Sequence, residues 1–476
     1  MAAPTPEEGV VAPGLRMVFG EVPADCDTPV SLFARMDARG GAFLLESVPG
    51  SGPARYSFFG TSPIARLVAR GAGVTLTGEL GHASWRASVP EALRRLGERM
   101  GPLPTLPVPF AAGAVGYMGY DAVRGLEKIG PGPADERDIP DAVFIVPGLL
   151  YAYDHVRQTL RATILAPQAR PQEEVGEELA RALRLSERPL PVAGPTAHQT
   201  QGGFTPDREA FKEAVVRAKE AIRDGEIFQV VLSTRYEAAL GLNPFDLYRS
   251  LRRLNPSPYL FYLDFGGTKL VGASPEALVT VRGRRVTLRP IAGTRGRGAG
   301  GEEDDRIERE LRADEKERAE HVMLVDLARN DAGRVSRIGS VRVGPLMAIE
   351  RYSHVMHLVS GVEGILEDGR DGLDALGAAF PAGTLTGAPK IRAMEIIDRL
   401  EGVRRGPYGG AVGYVTPAGD LDMCIAIRTC VIHGDRLYVQ AGAGIVADSD
   451  PEAEWMECQR KAGALLAALE EAGGGR

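Results

Sequence analysis

The chain has 476 residues, 44% hydrophobic and 25% charged, which is ordinary for a globular protein of one large or two medium domains. A net charge of −7 argues against nucleic acid or an anionic membrane surface as the main partner. No apolar run approaches the length of a transmembrane helix.

The N-terminus has neither a basic start nor an apolar run, so residues 1–14 are predicted to form a disordered tail and not a signal peptide. The four cysteines, Cys26, Cys424, Cys430 and Cys458, have no metal-binding or disulfide spacing. We therefore expect reduced cysteines and a cytoplasmic protein.

Composition divides the chain into two portions. Residues 15–165 are predicted to form an N-terminal α/β portion, with strand-like runs such as GAFLLESV, ARYSFFG and AVFIVPGLLYAYD. Residues 166–204 are rich in Pro, Glu and Gln apart from one short helical stretch, a composition typical of a linker. Residues 205–470 form the second portion.

The second portion is predicted to open with a helix. Thr205 is the expected N-cap, Pro206 lies in the first turn, and Gly225 ends the helix after an apolar stripe that includes Phe211 and Val215. Strands and long helices then follow one another without strict alternation. This order favours an α+β or layered α/β fold over a doubly wound sheet.

Two pairs of glutamates stand out, Glu317 with Glu320 and Glu454 with Glu457. Each pair has i,i+3 spacing on a predicted helix, so its carboxylates share one face. A pair of this kind is usually a solvated surface feature. Here both stripes continue into apolar positions that should pack inward. Inward carboxylates repel one another, and oxygen donors suit Mg²⁺ better than zinc.

Other polar features accompany these pairs. Gln229 lies at the start of an otherwise apolar strand. Because side chains alternate between the two faces of a strand, Gln229 shares a face with Val231 and Ser233. Glycine-rich turns at 383–390 and 440–444 could hold an anion, because such turns let backbone approach a ligand and one of them feeds a helix N-terminus. Only seven of the 56 basic residues are lysines, and two of them, Lys390 and Lys461, lie in or near these motifs.

Taken together, these segments resemble the chorismate-using enzymes, a family that includes anthranilate, aminodeoxychorismate, isochorismate and salicylate synthases. The resemblance lies in segments such as GEIFQVVLS, GASPEALV, RPIAGTRGR, PAGTLTGAPKIRAMEIID and QAGAGIVADSDPEAEWMEC, which follow a fixed order through the C-terminal two-thirds. Within the family, the chain most resembles the large, aminating subunit of the anthranilate synthases. The resemblance implies a core of two packed β-sheets flanked by helices.

Two positions distinguish members of the family. Isochorismate-type enzymes have a lysine at the position of Gln229, where it activates water; ammonia is already a nucleophile and needs no such base. Aminodeoxychorismate synthases have a lysine at the position of Ala292, and an alanine cannot act as a nucleophile. The resemblance thus implies a lyase that makes anthranilate and pyruvate from chorismate and ammonia. An aminodeoxychorismate synthase of the folate pathway is the alternative.

The resemblance also implies the site residues. Glu320 and Glu457 would hold Mg²⁺. Glu317 and Glu454 would not bind the metal directly but would interact with the two ligands. The substrate-binding residues would be Gly293, Thr294, Tyr408, Arg428, Gly442, Ala443, Gly444 and Lys461.

The catalytic residues implied by the resemblance are four. Glu276 would be the general acid that protonates the departing ring hydroxyl. His354 would transfer the proton that accompanies pyruvate loss. Gln229 would face the incoming ammonia, and Thr384 would contact substrate.

An inhibitor site and partners are implied as well. Ser47, Pro258, Tyr259 and Leu260 resemble the tryptophan-binding pocket of feedback-inhibited anthranilate synthases. No Gly-x-Cys-x-Gly nucleophile of a glutaminase occurs in the chain. Ammonia is therefore expected from a separate glutamine amidotransferase subunit, in a heterotetramer of two copies of each chain.

Overall fold

The computed structural model describes residues 14–38, 40–47, 55–191, 202–298, 300–351 and 355–473. The α-helices are α1 Pro29–Arg35, α2 Val89–Met100, α3 Gln172–Leu183, α4 Arg208–Arg223, α5 Pro244–Leu254, α6 Gly301–Ala313, α7 Glu315–Gly333, α8 Gly372–Ala379, α9 Lys390–Glu401 and α10 Pro451–Ala472. The strands of the first portion are β1 Leu15–Pro23, β2 Ala42–Glu46, β3 Tyr56–Arg70, β4 Gly73–Gly78, β5 Ala83–Arg86, β6 Ala114–Met118, β7 Ala142–Asp154 and β8 Thr159–Pro167.

Strands of the second portion complete the set. They are β9 Gly202–Thr205, β10 Gln229–Ala239, β11 Tyr259–Asp264, β12 Thr268–Ser274, β13 Ala277–Arg282, β14 Arg285–Leu288, β15 Ile291–Gly296, β16 Arg342–Val343, β17 Ala348–Arg351, β18 Val355–Val359, β19 Val362–Ile365, β20 Gly387–Ala388, β21 Ala411–Val415, β22 Leu421–Ile425, β23 Thr429–His433 and β24 Arg436–Ile445.

Antiparallel pairing joins these strands into one network of 21 strands and a separate sheet of β15, β18 and β17. Pairing crosses between the two portions of the chain, since β2 pairs with β11 and β6 pairs with β21. Helices and large antiparallel sheets are thus mixed, and the predicted α+β or layered fold is confirmed.

The core lies in layers because many strands are buried on both faces. In β7, Val143 and Ile145 join a cluster made almost entirely of strand side chains, including Phe261 of β11. Their neighbour Phe144 points the opposite way, into a cluster that contains residues of α2, α7 and α8. One face of the strands therefore packs on other strands and the other on helices, which is the layered arrangement implied by the family resemblance.

Helix α4 begins two residues later than predicted. Asp207, not Thr205, is the N-cap, and its carboxylate accepts a hydrogen bond of 3.0 Å from the backbone N–H of Ala210. Thr205 is the last residue of β9 and pairs with Arg235 of β10. The predicted N-cap is therefore wrong, because pairing with a distant strand holds Thr205 in extended conformation.

The segment predicted as a linker, 166–204, contains ordered structure at both ends. Helix α3 packs against β1 and β8, with Val175 and Ala182 buried. Residues 192–201 and the first 13 residues of the predicted N-terminal tail lie outside the described residues. The domain boundaries stay predictions.

Two long helices carry the predicted carboxylate pairs. Asp314 caps α7 by accepting hydrogen bonds from the backbone N–H groups of Lys316 and Glu317, at 3.0 and 3.1 Å. Asp450 caps α10 in the same way through Ala453. In the part of the chain that the structure describes, no helix is both long and apolar enough to cross a membrane.

Candidate active site

A cavity of about 900 Å³ lies among β10, β15, β18, β24, α7 and α10. It brings together most of the residues singled out in the sequence. The lining includes Gln229, Glu276, Gly293, Glu317, Glu320, Thr384, Tyr408, Arg428, Gly442, Gly444, Glu454, Glu457 and Lys461. Of the remaining predicted site residues, Ala443 is buried in a cluster with Val230 and Leu232, because alternation along β24 turns it away from the cavity. The side chain of Thr294 and all of His354 lie outside the described residues.

The two glutamate pairs border the same space from different helices. Burial raises the pKa of Glu320, and the charges of Glu317 and Glu457 raise it further, while Lys461 lowers it. Burial and the charge of Glu457 raise the pKa of Glu454 in the same way. Because burial first and neighbouring carboxylates second oppose the ionisation of Glu320 and Glu454, a bound cation would stabilise their charged forms.

The donor set fits Mg²⁺. Glu317 is tied to Arg295 at 2.8 Å and Glu457 to Lys461 at 2.7 Å, whereas Glu320 makes no side-chain hydrogen bond to another described residue. Within the described ranges, no three Asp, Glu, His or Cys side chains come close enough to form a complete ligand set. Mg²⁺ usually takes one or two carboxylates and completes its shell with water and substrate oxygens, so Glu320 and Glu457 suffice.

Glu276 follows the turn after β12 and borders the cavity. Burial raises its pKa to about 8, although a hydrogen bond of 3.4 Å from the Thr384 hydroxyl and the charges of Arg428 and Lys461 act in the opposite direction. A carboxyl group with this pKa is protonated at neutral pH and can donate its proton.

Two cations, Arg428 and Lys461, act on this carboxyl group. Arg428 sits between β22 and β23 with a left-handed φ of 49°, and its carbonyl accepts a hydrogen bond from the backbone of Ala273 at 3.1 Å. Lys461 donates to the carbonyl of Gly442 at 3.0 Å and so bridges β24 and α10. Burial lowers the pKa of Arg428, and Glu276 opposes that shift. The cavity therefore combines positive charge with a neutral acid.

Glycines make room for two of the lining side chains. A Cβ atom on Gly442 would lie 2.7 Å from the Tyr408 hydroxyl, and one on Gly444 would lie 2.7 Å from the Gln229 amide nitrogen. Such separations are too short for real atoms. At Gly442 the backbone carbonyl of Leu232 would also lie only 2.8 Å away, so this position needs glycine, whereas at Gly444 a Cβ atom would displace the end of the Gln229 side chain. The motif at 440–444 thus lets Tyr408 and Gln229 lie against the backbone of β24.

A buried ion pair beneath Tyr408 was not expected from the sequence. Arg405 binds both carboxylate oxygens of Glu401, at 2.6 and 2.9 Å, and donates to the carbonyls of Val231 and Leu385. Its guanidinium also lies over the rings of Tyr120 and Tyr408. Ser233 donates to Glu401 from its backbone and its hydroxyl. This network fixes β10, the 383–385 turn and Tyr408 relative to one another.

His357 is a lining residue that the sequence analysis missed. It lies on β18, and its Nδ1 is 3.2 Å from the carbonyl oxygen of Gly293. Burial lowers the pKa of His357, which favours a neutral imidazole. The segment RYSHVMH holds two histidines, and within β18 Val355 and His357 both line the cavity, as alternation requires.

The four residues of the predicted tryptophan pocket are neighbours. The Ser47 hydroxyl donates to the carbonyl of Pro258 at 2.7 Å, and Leu260 is buried where β11 pairs with β2. The Tyr259 hydroxyl donates to Asp422 at 3.1 Å. Residues 254–258 also line the large cavity. The predicted tryptophan pocket and the cavity therefore share this short segment.

Comparison with known proteins gives the family of the chain. A family model described as chorismate binding enzyme matches residues 52–467. Anthranilate synthase component 1 from Thermus thermophilus is 48% identical over 95% of this chain and 97% of its own length. The same component from Acetivibrio thermocellus is 46% identical over 95% of each chain. The crystal structure of anthranilate synthase component I from Streptococcus pneumoniae TIGR4 is 36% identical, with a TM-score of 0.79 over 94% of this chain and 99% of that one.

Proposed function

The chain belongs to the chorismate binding enzyme family, and on that premise we propose that it converts chorismate and ammonia into anthranilate and pyruvate. It is then a lyase, like the anthranilate synthase components it resembles. One observation carries the proposal: a neutral acid, Glu276, and a non-basic Gln229 border the same cavity as two facing carboxylate pairs.

Substrate binding uses the charges already described. Chorismate carries two carboxylates on a hydroxylated ring. Glu320 and Glu457 would hold Mg²⁺, which when bound offsets their repulsion and binds a substrate carboxylate. Arg428 and Lys461 both line the cavity and suit the remaining negative charge. Tyr408 is held by Arg405 and offers its hydroxyl to the substrate.

Glu276 supplies the proton for the departing ring hydroxyl. Hydroxide is a poor leaving group, whereas water is a good one, so an acid that stays protonated at neutral pH is required. Burial gives Glu276 that property, and Thr384 orients its carboxyl group. The carbon–oxygen bond breaks with its electron pair on oxygen, and the oxygen takes the Glu276 proton and leaves as water.

Gln229 supports ammonia as the nucleophile. Its uncharged side chain borders the cavity. Water would have to be deprotonated by a base to act as the nucleophile, and a glutamine cannot serve as that base. After addition, loss of pyruvate needs a group that moves a proton from the ring. His357 is our candidate, because it lies in the cavity wall as a neutral imidazole held by Gly293. The role predicted for His354 stays a prediction.

Tryptophan as feedback inhibitor and a glutamine amidotransferase as ammonia source are part of the proposal. The Ser47–Pro258 hydrogen bond connects the inhibitor pocket to a segment that lines the catalytic cavity, which supports regulation through that segment. Relatives named component 1 support a second component, and we propose a heterotetramer in the cytoplasm.

A product assay tests the function and its rival. We expect fluorescent anthranilate from the purified chain with chorismate, ammonium and Mg²⁺, and no added lyase. An aminodeoxychorismate synthase would instead accumulate an amino-chorismate that keeps its pyruvyl group. Ala292 is buried and has no reactive group, which supports the first outcome. Accumulation of the amino-chorismate alone would refute the proposal.

A further inference from the structure

A second, smaller cavity of about 40 Å³ adjoins the catalytic one. Glu276, Leu324 and Thr384 line both cavities, and the Thr384 hydroxyl donates to the Glu276 carboxyl group at 3.4 Å, so the general acid lies where the two cavities adjoin. A buried water needs about 10–15 Å³ of such space and two to four polar partners. The small cavity therefore has room for a few water molecules beside Glu276.

One face of α7 runs along this small cavity. Leu324, Leu327, Ala328 and Asp331 all line it, at the i, i+3, i+4 and i+7 positions of a single helical stripe. At 1.5 Å per residue, Asp331 lies about 10 Å along the helix axis from Leu324. The cavity thus extends from the general acid toward a second carboxyl group.

Asp331 is buried and paired with one of the few lysines of the chain. Lys390 donates to its two carboxylate oxygens at 3.2 and 3.1 Å. The Lys390 side chain is 14% exposed, against 7% for Asp331, so the pair reaches the protein surface. The catalytic scheme described above uses neither residue.

The proposed reaction leaves Glu276 without its proton once per turnover. That proton departs on the water formed from the ring hydroxyl, and the remaining carboxylate must gain another before the next substrate reacts. The catalytic cavity holds substrate or product for part of the cycle. A separate path to solvent would allow Glu276 to be recharged from its other side.

We propose that the small cavity holds water and that Glu276 is reprotonated through it from the Asp331–Lys390 pair. The inference rests on the proposed role of Glu276 as the general acid. A solvent proton passes to the Asp331 carboxylate, from Asp331 to a cavity water, and from that water to Glu276. One proton is taken up for each one that Glu276 loses, and the added ammonia releases one proton to solvent when it becomes the ring amine, so the cycle balances and no oxidant or reductant is needed.

The charges around Asp331 and the small cavity are compatible with this proton transfer. Asp331 faces Lys390 from α9 and Arg334 from its own helix, and Arg289 also lines the small cavity. Burial raises the pKa of Asp331 in spite of these cations, so its carboxylate accepts a proton more readily than one in water. Asp331 acts through water and not on the substrate, so it is a relay residue.

Asp331→Asn tests the relay, because the amide has the same size and cannot accept the proton. We expect kcat to fall by about ten-fold or more, and by no more than the ~10²–10⁴-fold that general acid–base steps contribute. The kcat/KM for chorismate should stay near wild type, because recharging follows the irreversible loss of the ring hydroxyl and takes place while product still occupies the catalytic cavity. Added imidazolium buffer should restore kcat of the variant and leave wild type unchanged. Asp326→Asn, an exposed change on the same helix, is the matched control.

Ala328→Val gives an independent test that leaves both carboxyl groups in place. The added methyl groups occupy the small cavity and displace its water, so the same fall in kcat at constant kcat/KM is expected. Ala214→Val on α4, a position of similar burial in a different cluster, is the control.

Two results would overturn the relay: kcat within roughly two-fold of wild type in Ala328→Val, or no response of Asp331→Asn to buffer acid. Failure of the proposed function itself has a different signature. In that case wild type makes no anthranilate, or Glu276→Gln keeps its activity.

Discussion

The Ser47 hydroxyl donates a hydrogen bond of 2.7 Å to the carbonyl oxygen of Pro258, and Pro258 also lines the catalytic cavity. The two residues are 211 positions apart in sequence. One hydrogen bond therefore connects the end of β2 to the wall of the site. A ligand that competes for this hydrogen bond would act on the wall directly.

Ser47→Phe is expected to relieve inhibition by tryptophan, because the phenyl ring removes the hydroxyl and fills the space beside Pro258. Turnover without tryptophan should change little. Tryptophan inhibition curves of wild type and Ser47→Phe test this. Ser84→Phe, at an exposed position of β5, is the control. Unaltered inhibition would mean that tryptophan binds elsewhere.

Gln229→Lys is expected to give some isochorismate from chorismate, since an amine at this position can act as a base toward water. Chromatography of the products detects it. Gln229→Met, of similar size but without a basic group, should give none. If the lysine variant also gives none, Gln229 does not face the nucleophile.

Removal of the proposed metal ligand Glu457 should lower activity by roughly 10²-fold or more, because charge stabilisation by a bound metal is worth several kcal/mol. EDTA should lower wild-type activity similarly, and Mg²⁺ should restore it. Glu452→Ala, on the same helix but paired with Arg208 at the surface, is the control for Glu457→Ala. Full activity of Glu457→Ala in the presence of EDTA would contradict the metal site.

The pH dependence of the enzyme should report Glu276. As general acid it must be protonated, so kcat/KM should fall as pH rises through about 8. Stability has the same sign, because the folded-state pKa of Glu276 lies above its unfolded value of 4.5. Its stabilising contribution is fully present below pH 4.5, falls as pH rises, and is lost once pH has risen through about 8.

Glu276→Gln separates these two effects. It should abolish turnover yet make the protein relatively more stable than wild type above pH about 8, because no buried carboxyl group ionises there. Thermal unfolding across pH measures the difference. Parallel stability curves for variant and wild type would show that Glu276 titrates near its ordinary pKa.

Glu401→Gln should destabilise the fold by ~3–5 kcal/mol, because it leaves the buried Arg405 guanidinium without its counter-charge. Urea unfolding gives the value. The exposed pair Arg253–Glu471 provides the comparison, and Glu471→Gln should cost less than about 1 kcal/mol. Equal costs for the two variants would contradict the structural importance of the buried pair.

Local patterns predicted the parts of the site that depend on one element. The i,i+3 spacing of Glu317 and Glu320 and the strand alternation at Gln229 are properties of a single helix and a single strand, and both were enough to place these side chains in the cavity. Features that depend on distant pairing were missed. Thr205 looked like an N-cap until its pairing with Arg235 was known.

Burial was the other property that local sequence patterns did not predict. Glu401 and Arg405 have the i,i+4 spacing of an ordinary surface salt bridge, and nothing nearby in sequence indicates that β10 and the 383–385 turn cover them. His357 was missed for a related reason. Alternation gives β18 two faces, but only the packing of the strand identifies the one that borders the cavity.

The pairings β2–β11 and β6–β21 join the two portions of the chain through backbone hydrogen bonds. Cutting the chain between these portions would leave β11 and β21 with open edges, which favour aggregation. We therefore expect that no shortened, freely soluble catalytic fragment can be made by deleting the N-terminal portion. Variants that lose the proposed inhibition by tryptophan must instead be point changes within an intact chain.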